Sequence, residues 1–141
     1  MPKITMSTPV AMNADSLWQA IGSFAAIGEW HPMMEKVDAD GENKGSTRRL
    51  QLVGGAQILE RLEEVSPTER LYRYSIIQSP LPISDYVSEI RVKDNGDGTS
   101  TVEWTSDFSV NKANESDVVK TLQSVYQSGL DNLQKMYGFK R

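Results

Sequence analysis

The stretch Glu115–Tyr137, ESDVVKTLQSVYQSGLDNLQKMY, decides how the rest of the chain is read. At about 100° per residue, Val118, Val119, Leu122, Val125, Tyr126, Leu130, Leu133, Met136 and Tyr137 fall in one stripe roughly 140° wide. Lys120, Gln123, Ser124, Gln127, Ser128, Asp131, Gln134 and Lys135 take the opposite side. This is one long amphipathic helix with a face to bury. Asn114 is placed to cap it, with Glu115 and Asp117 in the electropositive first turn. Gly138 is expected to end it in a left-handed conformation, with Lys135, Lys140 and Arg141 near the negative end. Gly129 lies inside the apolar stripe, where glycine costs about 1 kcal/mol relative to alanine. Either a backbone segment of a strand approaches closely there, or the missing side chain leaves room for a ligand between helix and sheet.

Upstream of that helix the pattern is mainly strand and turn. Lys3 to Val10 alternate as a first strand. Asn13 or Asp15 then caps a short helix carrying Leu17, Trp18, Ile21 and Phe24. Gly22 and Ser23 loosen it before a second helical turn, Ala25 to Trp30, which stops at His31 because Pro32 disfavours helical geometry in its predecessor. From Val37 onward, turns at Gly41–Gly45, Gly54-Gly55, Ser66–Glu69, Ser79–Pro82 and Asn95–Gly98 separate the strands. Those strands are Thr47–Val53, Gln57–Val65, Leu71–Gln78, Asp85–Lys93 and Ser100–Val110. The order is α+β with a meander sheet of about seven strands, not a βαβ fold.

Strand parity selects the face turned toward the helix. Pairing across Asn95–Gly98 sets Val92 opposite Val102, Ile90 opposite Trp104, Ser88 opposite Ser106 and Tyr86 opposite Phe108, leaving Glu89, Arg91, Glu103 and Asp107 outward. Across the Pro67 turn, Leu62 meets Tyr74 and Glu60 meets Ile76. The inward set therefore mixes aromatics with Glu60, Ser88 and Ser106. Apolar walls with a few convergent polar groups suit a ligand cavity better than a core built for stability alone.

With 141 residues the chain suits one domain, residues 1–141, with enough buried surface for a core containing a cavity. A net charge of −4 without a basic stripe disfavours nucleic acid and anionic membranes as partners. Zero cysteines and one histidine exclude thiol chemistry, disulfides and multi-histidine metal centres, so neither a metal nor another cofactor is expected. The opening MPKITMSTPVAMNAD has no apolar signal-peptide core, and no run approaches the ~20 apolar residues of a membrane helix. A cytoplasmic location without membrane insertion is the expectation; the oligomeric state stays open.

The ordered set of elements resembles the helix-grip fold of the SRPBCC (START-like) superfamily, and within it the bacterial polyketide cyclase/dehydrase-like branch. The resemblance covers essentially the whole chain. It rests on Trp18, Glu29-Trp30-His31-Pro32, Gly45-Ser46-Thr47-Arg48, Glu60-Arg61-Leu62, Tyr72-Arg73-Tyr74, Pro80-Leu81-Pro82 leading to Tyr86, and Val102-Glu103-Trp104. It implies a curved antiparallel sheet around the C-terminal helix, with a cavity for a small hydrophobic, aromatic or amphipathic molecule. It does not imply one activity, since such domains serve as cyclases, carriers, receptors and chaperone cofactors.

Candidate site residues follow from parity and from that resemblance. Glu60, if it faces the cavity in place of Arg61, is a possible acid or base; a two-residue Gly54-Gly55 turn would set Arg49 opposite it. The alternative is an ion pair with Arg48 or Arg49. His31 is either a helix-end cap at the surface, its protonated form favoured by the helix dipole, or a group at the cavity mouth. Tyr74, Tyr86, Trp104, Tyr126 and Gly129 are candidate ligand contacts. Trp30 is either packing or a contact, and Arg48 either anchors an anionic ligand group or pairs structurally. Three functions stand: a small-molecule binding module, a cyclase or dehydratase using Glu60 or His31, and a protein-interaction domain. A filled cavity with Trp104 packed on Tyr126 would favour the last.

Overall fold

In the computed structural model, which describes residues 2–138, ten elements follow one another. They are β1 (Lys3–Val10), α1 (Ala14–Ile21), α2 (Ile27–Trp30), β2 (Met34–Ala39), β3 (Thr47–Leu52), β4 (Gln57–Ser66), β5 (Leu71–Gln78), β6 (Ile83–Asp94), β7 (Ser100–Val110) and α3 (Glu115–Tyr137). The strands form one antiparallel sheet in the order β1-β7-β6-β5-β4-β3-β2. Each strand from β2 to β7 pairs with its sequence neighbour, and β1 closes onto β7, so β1 and β2, consecutive strands in the chain, form the two edges of the sheet. This is the helix-grip fold.

Helix α3 lies against β1 and β7 and buries Val118, Leu122, Tyr126, Gly129, Leu130 and Leu133. Its N-cap forms as the sequence predicts, Asn114 Oδ1 accepting from the Asp117 amide at 3.2 Å. At the other end the Ala11 amide donates to the Tyr137 carbonyl at 2.7 Å, and Gln134 Nε2 donates to the Pro9 carbonyl, fastening the helix to β1. Gly138 caps it in an extended conformation (φ −76°, ψ 175°), not the left-handed one expected, because its amide returns to the Gln134 carbonyl at 2.7 Å. Met136, placed in the buried stripe by its spacing, projects into solvent at 44% exposure. The expected contribution of Lys140 and Arg141 lies outside the described residues.

The pairings inferred across Asn95–Gly98 are present: Val92 with Val102, Ile90 with Trp104 and Ser88 with Ser106. Beyond them a bulge shifts the register between Ser84 and Val87, with Asp85 at φ 54°, and β6 begins at Ile83. That bulge bends the sheet where Tyr86 turns inward against Phe108, their ring centroids 6.0 Å apart. On the outer face Arg73 bridges Glu64 and Glu89, and Lys93 pairs with Glu103. These exposed pairs are screened by water and contribute little each. Among the described residues no helix is long and apolar enough to cross a membrane.

The β3–β4 connection corrects one expectation. Arg48, not Arg49, stands opposite Glu60, because the Leu52 amide donates to the Ala56 carbonyl across Val53-Gly54-Gly55. Gly54 (φ 101°) and Gly55 (φ 99°) supply backbone conformations that side-chain-bearing residues rarely adopt. The loop is thus one residue longer than a two-residue turn. In a strand one residue of register exchanges the two faces.

Candidate functional site

A cavity of about 180 Å³ opens between the concave sheet face, α2 and the middle of α3. Its floor is β4 to β7, through Glu60, Tyr74, Tyr86 and Trp104; its roof is α3, through Leu122 and Tyr126. Half-buried apolar side chains, among them Met33, Leu52, Ile58 and Leu81, line the part nearest solvent. Leu81 is held there by the Ser79–Pro82 connection, in which the Leu81 amide donates to Ser79 Oγ at 3.1 Å. The Asn111 amide reaches the Pro82 carbonyl at 2.8 Å. The wall is overwhelmingly apolar.

The few polar groups on this wall are bonded inside the protein. Glu60 Oε1 accepts from Arg48 Nε at 2.8 Å. Arg48 lies behind that wall, wholly buried, its guanidinium 4.2 Å from the Phe24 ring centroid and 4.7 Å from that of Tyr74. Arg48 Nη1 donates to the Phe24 carbonyl at 2.7 Å, tying β3 to the α1–α2 connection. That connection is also held by Glu42, which accepts from the Phe24 amide at 2.7 Å and from Ser23 Oγ at 2.9 Å. Trp104 Nε1 donates to Ser88 Oγ at 2.9 Å and to Tyr74 Oη at 3.1 Å, while Ser88 Oγ donates to the Thr105 carbonyl. The Tyr86 and Tyr126 hydroxyls hydrogen-bond to each other.

Burial dominates the electrostatics. It raises Glu60 above the ordinary carboxylate value, against the pull of the Arg48 charge beside it. Desolvation works to lower Arg48, but the surrounding Tyr72, Glu60 and Tyr74 more than offset it, and the guanidinium stays charged. Desolvation lifts Tyr74 and Tyr86 well above the usual phenol range and Tyr126 to about 12. At neutral pH these phenols therefore donate hydrogen bonds and do not act as phenolate bases. The Arg48–Glu60 pair is a neutral unit on the concave side.

His31 and Gly129 belong to a different place. The His31 ring is buried, its Nε2 2.8 Å from the Val125 carbonyl of α3 and its Nδ1 accepting from the Met33 amide at 3.1 Å. Burial lowers its pKa from 6.5 to about 4, outweighing the Val125 hydrogen bond that acts the other way. The imidazole is thus neutral and internal, not the protonated cap expected at a helix end, because a four-residue helix has little dipole to set against desolvation. A Cβ at Gly129 would fall 2.7 Å from His31 Cδ2 and 2.9 Å from Trp30 Cζ3. The glycine therefore makes room for these two rings, and neither a strand nor the cavity occupies that space. Asn132 Nδ2 completes the junction by donating to the Trp30 carbonyl at 2.7 Å.

Of the residues singled out from sequence, Glu60, Tyr74, Tyr86, Trp104 and Tyr126 converge on the cavity. Arg48, Trp30, His31 and Gly129 stand behind it, where they hold the wall. Arg61 is exposed and pairs with Glu63, which answers whether it or Glu60 turns inward. Ile58 and Ile76 share inward parity with Glu60 and Tyr74 and were available to the same reasoning, as was Leu122, one turn before Tyr126. Met33 and Leu81 carried no local signal, since loop geometry places them. Among the described residues no group of three or more His, Cys, Asp or Glu side chains could hold a metal ion.

Comparison with known proteins agrees with this architecture. The profile of the polyketide cyclase / dehydrase and lipid transport family matches residues 1–138, and the chain belongs to that family. The XoxI protein of Bacillus cereus shares 30% identity over 97% of this chain and 96% of its own, with a TM-score of 0.91. A Bacillus thuringiensis protein shares 31% over 96% and 98%, with a TM-score of 0.88. The Zhui aromatase/cyclase of a Streptomyces species superposes at a TM-score of 0.81 over 96% of this chain and 92% of its own. At 16% identity it shares the fold alone. No curated protein sequence matches the chain.

Proposed function

We propose that this protein binds a small hydrophobic or amphipathic molecule in the cavity between the sheet and α3. The observation that carries this reading is an apolar space of about 180 Å³ whose bordering polar side chains are already bonded within the protein. Burial of ligand apolar surface drives binding, at roughly 25 cal/mol per Å² before the costs of association. Glu60, Tyr74, Tyr86, Trp104 and Tyr126 are the proposed ligand contacts, while Arg48, Trp30, His31 and Gly129 shape the wall. Binding is favoured over cyclase or dehydratase chemistry because Glu60 is occupied by Arg48 and His31 is turned to the Val125 carbonyl.

The protein-interaction reading has one feature in its favour. Trp104 and Tyr126 stack at 4.2 Å and 16° between planes, so part of the interior is filled by the protein itself. The space beside them stays open, which favours the small-molecule reading. Native mass spectrometry of gently purified protein, compared with its denatured mass, tests it. A retained small molecule, or a thermal shift with members of a hydrophobic library, is expected. No retained mass and no shift across that library would overturn the proposal.

A further inference from the structure

We infer that the cavity selects neutral ligands built on a single aromatic ring and excludes molecules with three fused rings; this rests on the binding role proposed above. Size is the first argument. An apolar cavity near 150 Å³ accommodates benzene, and filling about 180 Å³ at interior packing density requires roughly six to ten non-hydrogen atoms. A three-ring molecule needs about fourteen ring carbons on the same scale. Burying such a molecule completely would require separating Trp104 from Tyr126, rings stacked at 4.2 Å, or displacing the tethered Leu81 connection.

The wall supplies the second argument. Four aromatic residues, Tyr74, Tyr86, Trp104 and Tyr126, border the cavity, and Met33 and Met34 stand on its α2 side. Ring edges, ring faces and thioethers all favour an aromatic guest over an aliphatic one of equal volume. Charge is the third. A carboxylate guest would lie against Glu60, whose compensating cation is behind the wall and bonded to it at 2.8 Å. An ammonium guest would have to compete with Arg48 for the same carboxylate. The carboxylate would lose its hydration without gaining a partner, and the ammonium would gain only a carboxylate already neutralised by Arg48. A hydroxyl or carbonyl substituent is compatible, since buried phenols on the wall remain protonated donors.

Calorimetric titration of the full chain with toluene, p-cresol, benzoate, benzylamine and anthracene-9-methanol tests the inference. Toluene and p-cresol are expected to bind at least about tenfold tighter than benzoate and benzylamine, with no binding of the three-ring alcohol. Filling the cavity with Ile76→Trp should weaken toluene by about tenfold or more. The Trp104 indole N–H resonance of the unaltered protein should shift on adding toluene, a readout that does not depend on the variant folding. Tight binding of anthracene-9-methanol would overturn the size limit while leaving the cavity's binding role intact. Equal affinity for the charged ligands would overturn the neutral preference. No binding by any member, with an unmoved Trp104 resonance, would overturn both this inference and the role on which it rests.

Discussion

Replacing Glu60 by glutamine removes the charge that compensates a buried guanidinium while keeping nearly the same volume. Arg48 has no exposed side-chain surface, Glu60 is 5% exposed, and the pair is joined at 2.8 Å. Arginine cannot shed its proton in a protein, so Glu60→Gln leaves an uncompensated cation among Phe24, Tyr72 and Tyr74. Breaking a buried pair in this way costs about 3–5 kcal/mol, a large share of the 5–15 kcal/mol stability typical of a domain. Arg48→Met has a different signature. The stranded carboxyl can take up a proton, and its folded-state pKa then lies above its unfolded value. The stability penalty is therefore largest at neutral pH and shrinks as pH falls below the folded pKa. Urea unfolding followed by tryptophan fluorescence, for both variants and for Arg48→Met/Glu60→Gln, measures the coupling, expected to be about 2 kcal/mol. If Glu60→Gln lies within about 0.5 kcal/mol of the parent protein, Glu60 is not the structural counterion and its assignment as part of the wall fails.

Two further outcomes follow from the α2–α3 junction. Gly129→Ala gains about 1 kcal/mol of helix propensity but forces a methyl group against the His31 and Trp30 rings, at a cost of about 1–3 kcal/mol. Thermal unfolding should show a net loss; a stabilised variant would mean that the two helices do not pack this closely. His31 titrates near 4 when folded, against 6.5 as its ordinary value. Because the unfolded chain binds the proton first, stability should fall as pH drops from about 6.5 to about 4, by up to roughly 3 kcal/mol. His31→Asn should flatten that interval of the stability–pH curve, and parallel curves for the two proteins would contradict a buried neutral imidazole.

What the sequence determined by itself is the part written in local periodicity and turn chemistry. The stripe from Val118 to Leu133 and the Asn114 cap are legible because a helix repeats every 3.6 residues and its first amides need an acceptor. The inward positions of Tyr74, Ser88, Trp104 and Ser106 are legible because side chains alternate along a strand and short turns carry that alternation to the next one. The pairing of Glu60 with Ile76 read across the Pro67 turn is present, but it depends on a bulge between Leu62 and Glu64 that shifts the register set beside the turn by Ser66 and Leu71.

Only the tertiary structure decided which arginine meets Glu60, since one additional loop residue beside Gly54-Gly55 exchanges Arg49 for Arg48. It also decided that Gly129 serves the His31 and Trp30 rings. The atoms that settle this, His31 Nε2 and the Val125 carbonyl, are 94 residues apart in sequence. No local window contains both, and the charge state of His31 follows from that distant burial and not from its position at a helix end.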